Sequence, residues 1–262
     1  MNILGFIGKN AILRWNALRF FIAVICGVLW AALKPRHWPR TVRELLAKQI
    51  LFTAVDAFWL IVLIASLAGI SIVVQAQKLL GMFGQSTMLG TILVAVIIRE
   101  IGPLLVNFVI IGRSGTAMAT ELANMKVRHE TDVLDAQGVN PMIYLVMPRV
   151  IGTVASVLCL AVVFSVVALI SGYLVGLVLG VTKGDYQQFM NSVAAAISPK
   201  DVANFLAKTI IPGLTTGTIC SIEGLQVHGS ITEVPQAATK SVVKSIAAVL
   251  IVSAIVSILT YA

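Results

Sequence analysis

Residues 99–115 read Arg-Glu-Ile-Gly-Pro-Leu-Leu-Val-Asn-Phe-Val-Ile-Ile-Gly-Arg-Ser-Gly, and the charges at their start interrupt an apolar stretch. The segments 87–98 and 104–111 carry no charge and suit the interior of a bilayer. Arg99, Glu100 and the helix-distorting Pro103 stand between those two segments. Ionisable side chains at membrane depth are costly, so they usually have a partner or a function. The pattern predicts a membrane-spanning helix with a polar centre.

The composition places the whole chain in a membrane. Of its 262 residues, 58% are hydrophobic and 11% are charged, and the mean hydropathy is +0.98, which excludes an ordinary soluble domain. The net charge of +8 does not indicate nucleic-acid binding, because the basic residues cluster in the first 48 positions beside tryptophans, as at a membrane surface. The three cysteines and three histidines lack ligand spacing, so we expect no metal site.

Five apolar stretches predict an all-α integral membrane protein. We predict spans at residues 50–75, 87–112, 145–181, 203–226 and 241–262. The run 20–33 is too short to span comfortably, so we expect an interfacial helix there, with a first spanning helix as the alternative. A proline-broken connector over 34–48 follows, so that 1–48 form a juxtamembrane segment and 49–262 the membrane region of a single domain, 1–262.

The distribution of basic residues predicts the orientation of the five spans. With the N-terminus inside, fourteen Lys and Arg residues fall on the inner side. Arg99 stays in the membrane, and the outer side holds four lysines: Lys78, Lys183, Lys200 and Lys208. Because inner segments of membrane proteins are enriched in basic residues, the N-terminus is expected inside and the C-terminus outside.

Glycines at four-residue spacing predict close helix packing in two spans. Gly172, Gly176 and Gly180 share one stripe of the third span, and Gly213 and Gly217 repeat the spacing in the fourth. The stripes suit contacts within one subunit or contacts across a dimer, and the spacing does not distinguish the two.

The longest polar stretch, residues 121–141, lies on the inner side between the second and third spans. Asp132 and Asp135 favour the start of a short helix, and Gly138 and Pro141 supply its end. With Val133 and Leu134 exposed among acids, this helix is a candidate docking element for another protein. The alternative is a solvated helical connector.

Four motifs in this region carry a resemblance. They are Arg-Glu-Ile-Gly-Pro at 99–103, the Gly-Arg-Ser-Gly-led run at 112–127, the segment 134–141 and the pair Pro148-Arg149. In order and spacing they resemble the signature of MlaE-type permeases, the membrane subunits of lipid-moving ABC transporters that work with MCE-domain proteins. Departures from that pattern are Ala123, Gln137, Asn140 and the run 233–235.

The resemblance implies a homodimeric permease of a bacterial inner membrane, or of an organelle inner membrane of bacterial origin, which moves phospholipids or related lipids. An ABC ATPase would bind inside and an MCE-domain protein outside. The chain has no phosphate-binding P-loop, so we expect a non-enzymatic subunit without cofactors whose ATP is bound by the partner. The polar stretch then becomes a coupling helix with these ATPase-coupling residues: Glu121, Met125, Glu130, Asp132, Leu134, Asp135 and Gly138.

Arg99 and Glu100 have two possible roles. Neighbouring helix residues point about 100° apart, so we expect each to have another partner, such as Lys208, Glu223 or a lipid headgroup. In the functional interpretation Arg99 binds a lipid phosphate and Glu100 lines the polar end of a cavity; in the other, both brace the helix. The predicted apolar wall of the lipid site consists of Leu67, Ile70, Val73, Val74 and Leu104.

Other functions fit the sequence less well. A secondary transporter could use Glu100 as a proton relay beside the helix break at Pro103, but it would leave the docking element unexplained. A membrane-embedded enzyme normally shows paired carboxylates, clustered histidines or a nucleophile near a base, and these residue types are dispersed here. A purely structural scaffold gives no reason for the intramembrane charges.

Overall fold

The computed structural model describes residues 3–34, 38–83, 89–179 and 186–261, and the regular structure in these ranges is helical. The α-helices are α1 (Ile3–Leu33), α2 (Arg40–Ile50), α3 (Asp56–Phe83), α4 (Leu89–Leu93), α5 (Gly102–Ile110), α6 (Thr116–Val127), α7 (Glu130–Ala136), α8 (Met147–Val178), α9 (Tyr186–Ala196), α10 (Pro199–Leu225) and α11 (Val234–Tyr261). Some are joined into longer rods by π-helical segments at Leu51–Val55, Val94–Ile101, Ile111–Gly115 and Met142–Val146, and a 3-10 turn at Ile231–Glu233 precedes α11.

Five rods are long and apolar enough to cross a bilayer, which confirms the predicted all-α membrane fold. We number them spans 1 to 5: Arg40–Leu79, Gly90–Val127, Met142–Val178, Pro199–Leu225 and Ile231–Tyr261. Each rod contains the greater part of one predicted apolar stretch. We call the end of the bundle that the basic residues assign to the cytosol the inner end, and the opposite end the outer end.

The helices extend further at the inner end than the sequence predicted. Span 1 begins at Arg40 rather than at the predicted residue 50, and span 5 begins at Ile231 rather than at 241. Span 2 ends at Val127 rather than at 112. Hydropathy detects only the membrane-embedded part of a helix, whereas these extensions carry charged residues. Most of the predicted connector 34–48 and most of the predicted inner loop after residue 112 are therefore helical, and those two predictions were wrong.

Two further elements differ from the prediction. The N-terminal helix α1 begins at Ile3 rather than at residue 20, and its position along the membrane surface remains a prediction. On the outer side, α9 is an additional short helix whose Phe189 packs on Tyr173 of span 3, with ring centroids 5.0 Å apart. No sequence signal that we used predicted α9.

Span 3 lies at the centre of the bundle and packs against spans 1, 2 and 4. Its Phe164 is fully buried in the main hydrophobic core. Spans 1 and 3 approach so closely at two points that only glycine fits at the contact. A Cβ atom at Gly69 of span 1 would overlap the carbonyl of Ala168, and one at Gly172 of span 3 would overlap Val73.

The second glycine stripe also packs within the subunit. A Cβ atom at Gly213 of span 4 would lie 3.1 Å from the Cα atom of Val154 in span 3. One at Gly217 would lie 3.0 Å from the Cα atom of Val150. Gly176 is buried in span 3, and Gly180 lies outside the described residues. At Gly172, Gly213 and Gly217 the close neighbours therefore belong to the same chain.

We expect Gly69→Ala to destabilise the bundle by about 1–3 kcal/mol, because the methyl group forces spans 1 and 3 apart. Gly112→Ala is the matched control: its Cβ atom meets no atom within 4 Å, and alanine favours a helix more than glycine does. Thermal unfolding in detergent should show a lower Tm for Gly69→Ala alone. Equal Tm values for the two variants would contradict the close contact.

Candidate functional site

Two prolines in neighbouring spans each remove a backbone hydrogen bond inside the membrane. Pro103 has no N–H to donate to the carbonyl of Arg99, four residues earlier, and Pro212 likewise leaves the carbonyl of Lys208 without its helical donor. A carbonyl without a donor is costly in a bilayer, so each needs a donor from elsewhere. The arrangement predicts polar side chains opposite both breaks.

Spans 2 and 4 supply these donors to each other. The Lys208 ammonium and the Asn204 amide of span 4 donate to the carbonyl of Arg99 at 3.0 and 3.1 Å. In return, the Asn107 amide of span 2 donates to the carbonyl of Lys208 at 3.4 Å and to that of Pro103 at 2.7 Å. The two helix breaks therefore face each other and fix the register of the two spans.

Asp201 is the centre of the part of this site nearest the outer end. Its carboxylate forms an ion pair with Arg99, with Nε and Oδ1 2.7 Å apart, and accepts a hydrogen bond of 2.7 Å from the Tyr261 hydroxyl. It also caps its own helix by accepting from the Ser198 backbone N–H and hydroxyl at 2.9 and 3.0 Å. The guanidinium of Arg99 in turn lies over the Tyr261 ring, 4.8 Å from its centroid.

Glu100 lies at the beginning of the same helix break and joins span 5 to it. Its carboxylate Oε1 is 2.6 Å from the Lys208 Nζ and accepts a 2.8 Å hydrogen bond from the Ser257 hydroxyl. Lys208 is one of the partners that the sequence suggested, whereas Glu223 pairs with Lys244 instead. We call this set the outer polar network; it comprises Arg99, Glu100, Asn107, Asp201, Asn204, Lys208, Ser257 and Tyr261.

One sequence assignment is corrected by this network. Lys208 was counted among the lysines of the outer side, but its side chain is buried inside the bundle. Lys183 lies outside the described residues. The inner side remains strongly enriched in basic residues without Lys208, so the predicted orientation is unchanged.

The charges of the outer polar network balance. Arg99 and Lys208 are matched by Asp201 and Glu100, so the network has no surplus positive charge for a lipid phosphate. The Asp201 carboxylate is fully buried, and the Lys208 ammonium nearly so, while 46% of the Glu100 side chain is exposed. This geometry favours the bracing role for Arg99, and it leaves Glu100 as the most open charged group of the network.

The predicted apolar wall is not one continuous surface. Leu67 is exposed and Ile70, Val74 and Leu104 are half-buried, so these side chains remain open to a ligand. Val73 is fully buried against Gly172 of span 3. The reason is helical geometry: residues 67, 70 and 74 share one stripe, whereas residue 73 belongs to the adjacent stripe that packs on span 3.

Several members of the network were missed by sequence reasoning. The missed residues Asp201 and Asn204 precede Lys208, which the sequence did suggest, at spacings of three and four, so all three lie on one face of span 4. That pattern was readable from the sequence. Ser257 and Tyr261 carry no comparable signal, because a lone hydroxyl near the end of an apolar helix is common.

At the inner end, α7 is the predicted short helix between spans 2 and 3. His129 precedes it in a left-handed conformation with φ 58°, and Gly138 follows it with φ 75°, a conformation that favours glycine. Asp132 anchors its first turn, with oxygen atoms 2.7 Å from the Lys126 Nζ and 2.8 Å from the His129 Nδ1. These contacts lower the pKa of Asp132 to about 2, so the anchor is fully formed above about pH 4 and is lost as the pH falls towards 2.

The faces of α7 differ from the prediction at one residue. Leu134 is half-buried and packs, together with Met125, against a cluster that includes Met118 and Leu122. It was predicted to be exposed, and that was wrong: its stripe faces the bundle. Val133 is 54% exposed, and Glu130 and Asp135 are exposed beside it.

Glu121, nearly two turns before the end of span 2, forms an ion pair with Arg149 of span 3, with Oε1 and the Arg149 Nη2 2.8 Å apart. This pair ties the two rods that carry α7. The Arg149 guanidinium also donates to the carbonyl of Leu145 at 3.1 Å. Helix α7 is thus an exposed tip whose base is held by an ion pair between spans 2 and 3.

Comparisons with known proteins agree with this arrangement. The family described as Permease MlaE matches residues 46–259. A probable ABC transporter permease protein of Rickettsia felis is 26% identical over 253 residues, which cover 96% of this chain and 95% of that protein. The intermembrane phospholipid transport system permease protein MlaE of Haemophilus influenzae is 27% identical over 93% of this chain and 91% of its own length.

A chloroplast relative is also similar. TRIGALACTOSYLDIACYLGLYCEROL 1 of Arabidopsis thaliana is 26% identical over 93% of this chain and 67% of its own length. Five spans and these relatives define a multi-pass permease of an inner membrane, of the ABC transporter type. The chain belongs to the MlaE permease family, as its motifs between residues 99 and 149 indicated.

We expect Arg99→Met to lower the free energy of unfolding by about 3 kcal/mol, because it leaves the buried Asp201 carboxylate without its cation. The double variant Arg99→Met/Asp201→Asn should recover much of this loss, since no charge then lacks a partner. The asparagine oxygen can still accept from Ser198, while its amide nitrogen donates to the Tyr261 hydroxyl. Thermal unfolding of the single and double variants in detergent measures the coupling. Simple addition of the two single effects would contradict the brace.

Proposed function

We propose that this chain is the membrane subunit of an ABC transporter that moves phospholipids, or related lipids, between membranes. In this proposal two copies form the permease, an ABC ATPase binds at the inner end, and an MCE-domain protein binds at the outer end. The observation that carries the proposal is membership of the MlaE permease family, together with an exposed helix α7 on a rigid base. The relative from Haemophilus influenzae supports the lipid class, because its name specifies phospholipid transport.

The proposed energy coupling passes through the exposed tip of α7. Val133 offers an apolar contact, and Glu130 and Asp135 offer charges. Asp132 and Leu134 hold α7 in place rather than contact the ATPase. Asp132 anchors the helix to Lys126, and Leu134 packs into the bundle. A movement of the ATPase against this tip is carried into spans 2 and 3 by the Glu121–Arg149 ion pair.

The proposed lipid surface lies beside the outer polar network and does not depend on a phosphate bound to Arg99. The open apolar side chains Leu67, Ile70, Val74 and Leu104 suit acyl tails. Glu100, half-exposed next to Lys208, supplies the polar end of this surface. The Asp201–Arg99 ion pair holds span 2, which carries Leu104 and Glu100, against span 4.

We expect Val133→Asp or Asp135→Lys to reduce ATPase binding at least about 30-fold, the effect of losing a central interface residue. Glu44→Lys is the control matched to Asp135→Lys, because it makes the same charge change on an exposed inner-side helix away from α7. The ATPase that co-purifies with each variant from native membranes is quantified against the permease. Retention of the ATPase by both α7 variants would exclude α7 as the coupling helix.

Native mass spectrometry of the full assembly tests the proposed function itself. Gentle extraction from its own membranes should give two copies of this chain, two ATPase subunits and bound phospholipid. The lipid mass identifies the cargo class directly. A lone chain that carries neither ATPase nor lipid, under conditions that preserve other ABC transporters, would contradict the proposal and favour a secondary transporter.

A further inference from the structure

Two adjoining cavities lie at the inner end of the bundle, far from the outer polar network. The first is an apolar groove of about 230 Å³ between α1 and the inner ends of spans 3 and 4. The second is a more polar cleft of about 520 Å³ between the inner ends of spans 4 and 5. The groove is lined mainly by Phe20, Val24, Val146, Ile222 and Leu225, and the charged groups of the cleft are Glu223, Glu233, Lys240 and, when protonated, His228.

Gln226, the residue that ends span 4, lines both cavities. Glu223 of the cleft lies at the same depth of span 4 as the groove residues Ile222 and Leu225, so the two cavities adjoin side by side around the inner end of this span. The cleft continues past Gln226 to His228 and Glu233, towards the cytosol. A lipid can therefore place an acyl chain in the groove and its headgroup in the cytosolic part of the cleft.

The charges of the cleft indicate which headgroup suits it. Glu223 is paired with Lys244, and the Glu233 carboxylate accepts a 2.8 Å hydrogen bond from the backbone N–H of His228. Lys240 is exposed on the wall of the cleft. Lys244 does not line the cleft but neutralises Glu223, which leaves Glu233 and Lys240 as the cleft charges without an ion-pair partner among the described residues. Lys240 can bind a phosphate, and the second carboxylate oxygen of Glu233 can bind an amine. A zwitterionic headgroup satisfies both, whereas a purely anionic one satisfies only the first.

We propose that this composite cavity is a binding site for a zwitterionic phospholipid of the inner leaflet, with an acyl chain in the groove and the headgroup in the cleft. The inference rests on the proposed function for the class of lipid, and it adds a lipid site at the end of the permease opposite the outer polar network. The site gives the inner-leaflet lipid a fixed contact with α1, span 4 and span 5 at once.

Photo-crosslinking in vesicles tests this site. The full chain is reconstituted in phosphatidylethanolamine and phosphatidylglycerol, with a trace of phosphatidylethanolamine that carries a diazirine in its acyl chain. After illumination, we expect mass spectrometry to find the adducts concentrated on the peptides around residues 20–24, 142–146 and 222–226. Excess unlabelled phosphatidylethanolamine should reduce this labelling more than the same excess of phosphatidylglycerol.

Ile222→Trp is the decisive variant, because the larger side chain fills part of the groove from a half-buried position. It should lower labelling of the groove peptides about tenfold, the effect of displacing about two buried methylene groups of the acyl chain. Ile211→Trp is the matched control, since Ile211 is an exposed isoleucine of the same span outside the groove. Both variants are first checked for an unchanged Tm.

The outcomes separate this inference from the proposed function, because labelling needs neither ATPase nor ATP. Even labelling along all exposed apolar segments, unaffected by Ile222→Trp, would show ordinary bilayer contact and overturn the site. Equal competition by the two lipids would overturn the headgroup assignment. Specific labelling in a protein that moves no lipid with its ATPase would support the site and contradict the transport function.

Discussion

The structure depends on side-chain hydrogen bonds that spans 2 and 4 donate to each other's backbone carbonyls, four residues before Pro103 and Pro212. Within a bilayer, water cannot satisfy the carbonyls that Pro103 and Pro212 leave open. Spans 2 and 4 solve this together, because Asn204 and Lys208 donate to one carbonyl and Asn107 to the other. Only one relative register allows both, and that register brings the charged residues of the two spans together.

This register brings the charged side chains of spans 2 and 4 within ion-pair distance, and the outer polar network connects spans 2, 4 and 5. Lys208 meets Glu100 while it donates to the carbonyl of Arg99, and Asp201 then lies within reach of the Arg99 side chain. Span 5 joins through Ser257 and Tyr261. A polar centre in a membrane helix is commonly taken as a ligand site, yet here its charges are balanced by ion pairs between neighbouring spans.

The number of spans, their order and the short helix between spans 2 and 3 were predictable, because apolar length and turn residues are local signals. The inner ends of spans 1, 2 and 5 were not predictable, because hydropathy does not distinguish charged helical turns outside the membrane from loops. The partners of Arg99 were also missed: Asp201 lies about a hundred residues away, and only the fold brings it close. Leu134 shows the remaining limit, because its burial depends on which stripe of a seven-residue helix faces the bundle.

The continuity of span 2 has a mechanical consequence. Its 38 residues make a rod of about 57 Å that runs from the outer face to the base of α7. The rod is joined to span 4 at Arg99, about a quarter of the way along, and to span 3 at Glu121, near its other end. No flexible linker separates these two joints, so a displacement at α7 would reach the outer polar network along a single helix.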